Sequence, residues 1–147
     1  MFTFLTRTIL ENCWYHPNQE RNVSAGQARY VALYFSASWC PPCVKFTPVL
    51  RNLYQQFTQA RCEIVLIPMD TDGAACASYA AKMPWPVLDL VEDAELVAQA
   101  QQAWCREQSI PRLVLLDRAS GSTLRSDLAT ELRKPNAPSV RRLLADV

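Results

Sequence analysis

Three short runs of the chain are apolar almost without interruption, and they constrain the fold more than any other feature. VALYFS (31–36), EIVLIPM (63–69) and LVLLD (113–117) are rich in β-branched, aromatic and leucine side chains. A strand with one wet face alternates apolar and polar residues, whereas a continuous run belongs to a strand covered on both faces. The chain must therefore build a sheet with helices packed on each side. Its 147 residues, half of them hydrophobic, supply one core of that kind.

The segments between the runs read as helices. Residues 42–59 place Phe46, Val49, Leu50, Leu53 and Phe57 at three- and four-residue spacing, which makes one apolar face. Shorter helices are expected over 73–82, 94–107 and 139–146, the last capped by Ser139. SGS at 120–122 is expected to turn into a short strand over 123–126. This order describes an α/β layered domain with its central strands parallel, in which chemistry collects at the carboxyl ends of the strands. With no repeat or linker, we expect a single domain over 1–147, residues 1–24 being an N-terminal extension or strands that precede the core.

Charge narrows the function classes. Fifteen basic and fourteen acidic residues give a net charge of +1, so no basic footprint for nucleic acid or a membrane surface is present. No stretch approaches the ~18 apolar residues of a spanning helix. The start, MFTFLTRTILENCW, has neither a basic leader nor a small-residue cleavage site, so no secretory signal is read. Being short and carrying Arg7, it is compatible with organelle targeting. The six cysteines (Cys13, Cys40, Cys43, Cys62, Cys76, Cys105) are then expected as thiols in a reducing cytoplasm, with Cys62 and Cys105 as inert core thiols.

Cys40 and Cys43 follow the first apolar run and open the helix after it: YFSASWCPPC. A structural zinc site needs four ligands, commonly two close pairs. The chain offers one C-x-x-C and a single histidine, His16, so no metal site is expected. A redox dithiol has a mechanism here. With Cys40 as N-cap, Pro41 and Pro42 occupy the first two helical positions, where a missing N–H costs nothing. The first amide able to reach the Cys40 sulfur is that of Cys43, and the positive end of the helix dipole favours a thiolate. Cys40 is then the nucleophile toward a substrate disulfide and Cys43 the thiol that displaces the product.

SASWCPPC followed by FTP, then KMPW (82–85), then SIP (109–111) before an apolar strand, resembles the tryparedoxin and nucleoredoxin branch of the thioredoxin superfamily over roughly residues 25 to 135. The resemblance implies an α/β thioredoxin fold, a central mixed β-sheet flanked by helices. It also implies that Trp39 shields the reactive sulfur and that Pro111 follows a cis bond from Ile110, facing the dithiol and offering backbone to a substrate. Pro48 would kink the active-site helix. Trp85 is either a substrate-binding aromatic or a core or groove-lining residue with no chemical role. Tyr34 stands where ordinary thioredoxins keep a buried acid, and is also readable as a core tyrosine. Asp70 either relays the Cys43 proton or caps the following helix.

Some positions depart from the tryparedoxin pattern. Met69 stands in the place of a tryptophan and Thr71 in that of an acid, in the stretch those proteins use with a later arginine to hold trypanothione. Asp127 falls near that arginine, with Arg125 two residues earlier. Arg112, after Pro111, is bulkier than the small residue more usual there, and is expected on the substrate face. The expected activity is reduction of protein disulfides, peroxiredoxin-type partners among them. An external thiol or flavoprotein reductase would supply electrons to a monomer without cofactor, nucleoredoxin-like more than tryparedoxin-like. The alternative from another class is a non-catalytic interaction module whose dithiol is a redox gate.

Overall fold

The structure is a computed structural model, and it describes residues 3–13, 28–107, 109–145 and 147. The three apolar runs are strands: β1 (Tyr30–Ser36), β2 (Cys62–Pro68) and β3 (Arg112–Asp117). A short β4 (Thr123–Arg125) follows a turn in which Gly121 takes a positive φ of 72°, a conformation open to glycine at no steric cost. The sheet order is β2-β1-β3-β4.

β1 lies parallel to β2, Tyr34 opposite Leu66, but antiparallel to β3, Tyr34 opposite Leu113. The expectation of parallel central strands therefore holds for one pair only, and the sheet is mixed, as the family resemblance implied. The physical reason is the connection into β3. It brings the chain in at the end of the sheet that carries the dithiol, so β3 runs back along β1.

Helices cover both faces. On one, α2 (Pro41–Gln59), α5 (Leu128–Leu132) and α6 (Val140–Ala145) pack Phe46, Leu50, Phe57, Leu128 and Leu143 onto Ala32, Tyr34, Ile64 and Leu113. On the other, α1 (Thr3–Asn12) and α4 (Ala94–Trp104) pack Ile9, Val97 and Ala100 onto Val31, Leu33, Phe35 and Val114. Alternate β1 residues thus enter opposite layers, which is why the run shows no alternation. Each fully buried Leu, Ile or Phe here contributes roughly 1.5–3 kcal/mol relative to exposure.

Residues 3–12 form a helix, so this part of the 1–24 segment does not supply strands. α3 (Gly73–Ala80) and α4 end earlier than the sequence pattern implies, and α5 had no expectation at all. Ser139 Oγ accepts from the Arg142 N–H at 3.2 Å, as a cap should.

Candidate functional site

The site lies where β1 gives way to α2. After Ser36 the chain turns through Ser38 and Trp39 and enters the helix at Cys40, whose extended backbone (φ −100°, ψ 107°) makes it the N-cap. Pro41 and Pro42 occupy the first two helical positions. The Cys43 N–H donates to the Cys40 sulfur at 3.4 Å, the geometry expected from the two missing proline donors. Both cysteines are buried, Cys40 5% exposed and Cys43 fully enclosed.

Opposite them, the Ile110–Pro111 bond is cis, and the Cys40 thiol lies 3.9 Å from the Ile110 carbonyl oxygen, in donating geometry. The apolar packing around the two thiols comes from Ala37, Met69 and Ile110. Trp39, in the turn just before Cys40, is 63% exposed.

Asp70 does not cap the next helix. That is Asp72, which accepts from the Ala74 N–H at 3.2 Å. The Asp70 carboxylate instead accepts from the Ser38 hydroxyl at 2.6 Å and the Ser38 N–H at 3.2 Å. It ties the turn before Cys40 to the end of β2. Hydrogen bonds to a carboxylate are about twice as strong as neutral ones, so this is a firm anchor for the loop.

Trp85 is wholly buried, and of its two readings the core one describes it. The Leu66 N–H donates to the Pro86 carbonyl and the Leu88 N–H to the Leu66 carbonyl, pinning 86–88 along the free edge of β2. That carries Trp85 inward, edge-on to Tyr34 and Tyr54 at centroid distances of 5.8 and 5.7 Å. Arg112 turns back onto its own loop, donating to the Ser109 carbonyl and pairing with Glu107 at 3.4 Å. Asp127 is the N-cap of α5: Oδ1 accepts from the Ala129 and Leu113 N–H groups, and Oδ2 from the Thr130 hydroxyl. This structural post explains its presence without a ligand.

Tyr34 is buried, with its hydroxyl 2.8 Å from Thr47 Oγ1. Sequence reasoning missed Thr47, Ser36 and Tyr79, whose hydroxyls gather beneath Cys43. Ser36, polar at the end of an apolar run, and Thr47, one turn after Cys43, carry a faint signal; Tyr79, on α3, carries none. Burial pushes the Cys43 thiol up to about 12, aided by its hydrogen bond with Cys40 and opposed by the Ala37 backbone and the Ser36 hydroxyl. Burial likewise raises Tyr34 and Tyr79, which stay neutral hydroxyls near neutral pH.

Burial raises Cys62 as well, and Cys105 is 1% exposed in the core. Among the described residues no group of three or more His, Cys, Asp or Glu is placed to hold a metal, and no helix is long and apolar enough to cross a membrane. His16 lies outside the described residues.

Residues 27–123 match the family model described as thioredoxin-like. The tryparedoxin of Trypanosoma brucei brucei is 37% identical over 103 residues, 69% of this chain and 70% of that protein. The nucleoredoxin of Xenopus laevis is 32% identical over 102 residues, 68% of this chain but only 24% of that longer protein. A solved structure of tryparedoxin II complexed with glutathionylspermidine superposes with a TM-score of 0.74 at 31% identity, covering 84% of this chain and 85% of that one.

Proposed function

Because this chain belongs to the thioredoxin-like family, in its tryparedoxin and nucleoredoxin branch, we propose that it is a disulfide reductase acting on protein substrates through Cys40 and Cys43. One observation carries the reading: the Cys40 sulfur sits at a helix N-terminus with the Cys43 N–H at 3.4 Å and the Ile110–Pro111 turn facing it. A structural thiol has no use for that arrangement, whereas a nucleophilic one is stabilised by it.

In the proposed cycle the Cys40 thiolate attacks a substrate disulfide and joins it as a mixed disulfide. Cys43 then attacks the Cys40 sulfur, the internal disulfide forms, and the substrate leaves as a thiolate. Substrate backbone is expected along Ile110 and Pro111, with Trp39 presented to it from the exposed turn. Pro41 and Pro42 hold the helix start rigid. Partners are protein disulfides, peroxiredoxin-type ones among them, and the setting is a reducing cytoplasm.

The reductant follows from what surrounds the site. The tryparedoxin II structure holds a glutathionylspermidine, whose spermidine part is cationic. Here Met69 and Thr71 offer no charge near the dithiol, and the carboxylates of Asp70 and Asp127 are committed to Ser38 and to the α5 cap. The reading therefore favours a nucleoredoxin-like donor, a protein reductase or simple thiol, over a polyamine-linked one. Insulin-disulfide reduction is to be compared with trypanothione, glutathione, and thioredoxin plus its reductase as donors. Turnover with one of the last two supports the proposal, selective turnover with trypanothione reverses the donor assignment, and no acceleration with any donor refutes the enzyme.

A further inference from the structure

The outer face of α2 beside the dithiol is apolar where a solvated helix is usually polar. Pro41, Pro42, Val44, Pro48 and Val49 are exposed there, Val44 by 48% and Val49 by 43%. Trp39 continues the strip across the turn before Cys40. Exposed apolar side chains gathered in one place mark a contact surface, whereas single scattered ones do not. The strip is a ridge, because a groove runs along each of its flanks.

Helix periodicity produces both grooves. Residues 41, 42, 45 and 49 face α5, and residues 44, 48 and 51 face α3. The first groove, about 390 Å³, has Pro41, Pro42, Val49 and Leu132 as apolar walls and carries the cations Lys45 and Arg133. The second, about 540 Å³, carries Arg51 and Lys82. Among the described residues no Asp or Glu lines either groove, and α2 has none along its whole length. Arg51 already donates to the Lys82 carbonyl at 3.1 Å. Lys45 and Arg133 have no ion pair among the described residues, where the pairs are Arg112–Glu107 and Lys134–Glu131.

We propose that the Lys45–Arg133 groove is a docking subsite for substrate, and that the partner is a protein whose reducible disulfide has carboxylate side chains close to it in sequence. This rests on the reading of the chain as a disulfide reductase and gives that reading a substrate class. Charge complementarity selects the occupant. Two unpaired cations above apolar walls hold an acidic side chain whose hydrocarbon stem lies against proline and valine. A basic segment would meet like charge at the same place, so the groove also rejects wrong partners.

Position selects it as well. Pro41 follows the nucleophile Cys40 directly and forms the near wall of the groove, so a segment anchored there is continuous with the reactive sulfur. The carboxylates of neighbouring elements do not compete for the two cations. Asp127 caps α5, Glu131 pairs with Lys134, and Asp70 is held by Ser38. Cations left free in this way also act before contact, by steering an acidic partner toward the dithiol.

The probes are two synthetic peptides with the same disulfide loop, one with three glutamates ahead of the first cysteine and the other with three glutamines. The reduced full chain is mixed with each in a single turnover. It is expected to reduce the glutamate peptide about tenfold faster at about 0.02 M salt, and less than about twofold faster at about 0.5 M, where screening shortens the reach of the cations. Lys45→Gln with Arg133→Gln is expected to bring that ratio to about one. Arg51→Gln with Lys82→Gln removes the same charge from the second groove and is expected to keep most of the preference. Equal rates for both peptides in the parent, or equal loss of preference in the two double variants, would overturn the proposal. Reduction of neither peptide would sink the reductase reading instead. Docking is then measured without chemistry, by the fluorescence polarisation of a dye-labelled glutamate peptide with serine at both cysteine positions. Binding to the parent that Lys45→Gln with Arg133→Gln abolishes upholds the groove, and no binding, or binding that survives this pair, overturns it.

Discussion

The Cys43 N–H points at the Cys40 sulfur from 3.4 Å, and it is the first amide of α2 that can, since positions 41 and 42 are prolines. Pro42→Ala adds a second N–H in the first turn. One more hydrogen bond to a charged sulfur is expected to speed iodoacetamide alkylation of Cys40 at mildly acidic pH about fivefold. An unchanged or slower rate contradicts the idea that donors at this helix start limit the reactivity of Cys40.

Removing the resolving thiol separates the two cysteines by role. Cys43→Ser is expected to accumulate a mixed disulfide with substrate through Cys40, visible by non-reducing electrophoresis and lost on adding dithiothreitol. Trapping through any other cysteine would place the nucleophile elsewhere.

Stability of the dithiol form should fall in alkali. Burial, with the Cys40 hydrogen bond, holds Cys43 up to about 12, and burial with Asp70 and Asp89 nearby holds Cys76 up to about 11. Unfolded thiols ionise near about 8.5, so above that pH the unfolded chain sheds protons the folded one keeps. These groups stabilise fully below about pH 8.5, and the contribution is lost as pH rises toward the folded values. The urea midpoint should drop between about pH 7.5 and about pH 10, and less steeply once Cys40 and Cys43 are oxidised to a disulfide. A midpoint independent of pH in the dithiol form contradicts the burial of these thiols.

Asp127 is a structural post between β3 and α5, accepting from the Leu113 and Ala129 N–H groups and the Thr130 hydroxyl. Asp127→Ala should cost about 1–2 kcal/mol in equilibrium unfolding, the range for a lost cap. A change well under that, paired with an altered preference among thiol donors, would instead mark it as a binding residue.

The sheet was legible because its strands are buried on both faces, a pattern that leaves continuous apolar runs such as VALYFS. The dithiol was legible because a cap cysteine followed by two prolines leaves one amide free to act, and that is local geometry. Strand direction was not, since the antiparallel return of β3 depends on how a long connection is routed and not on the strand's own residues. Nor were Trp85, Asp70 and Asp127. Each has a partner distant in sequence: the β2 edge, Ser38, and the Leu113 amide. The hydroxyl cluster was least visible of all, because Tyr79 meets Thr47 across 32 positions and looks like any half-apolar helix residue.

The central claim is that electrons pass through Cys40 and Cys43, and insulin-disulfide reduction with dithiothreitol as donor tests it most directly. The account predicts clear acceleration by the parent chain and loss of that acceleration in Cys40→Ser to the rate of dithiothreitol alone. Acceleration that survives Cys40→Ser undiminished would contradict it.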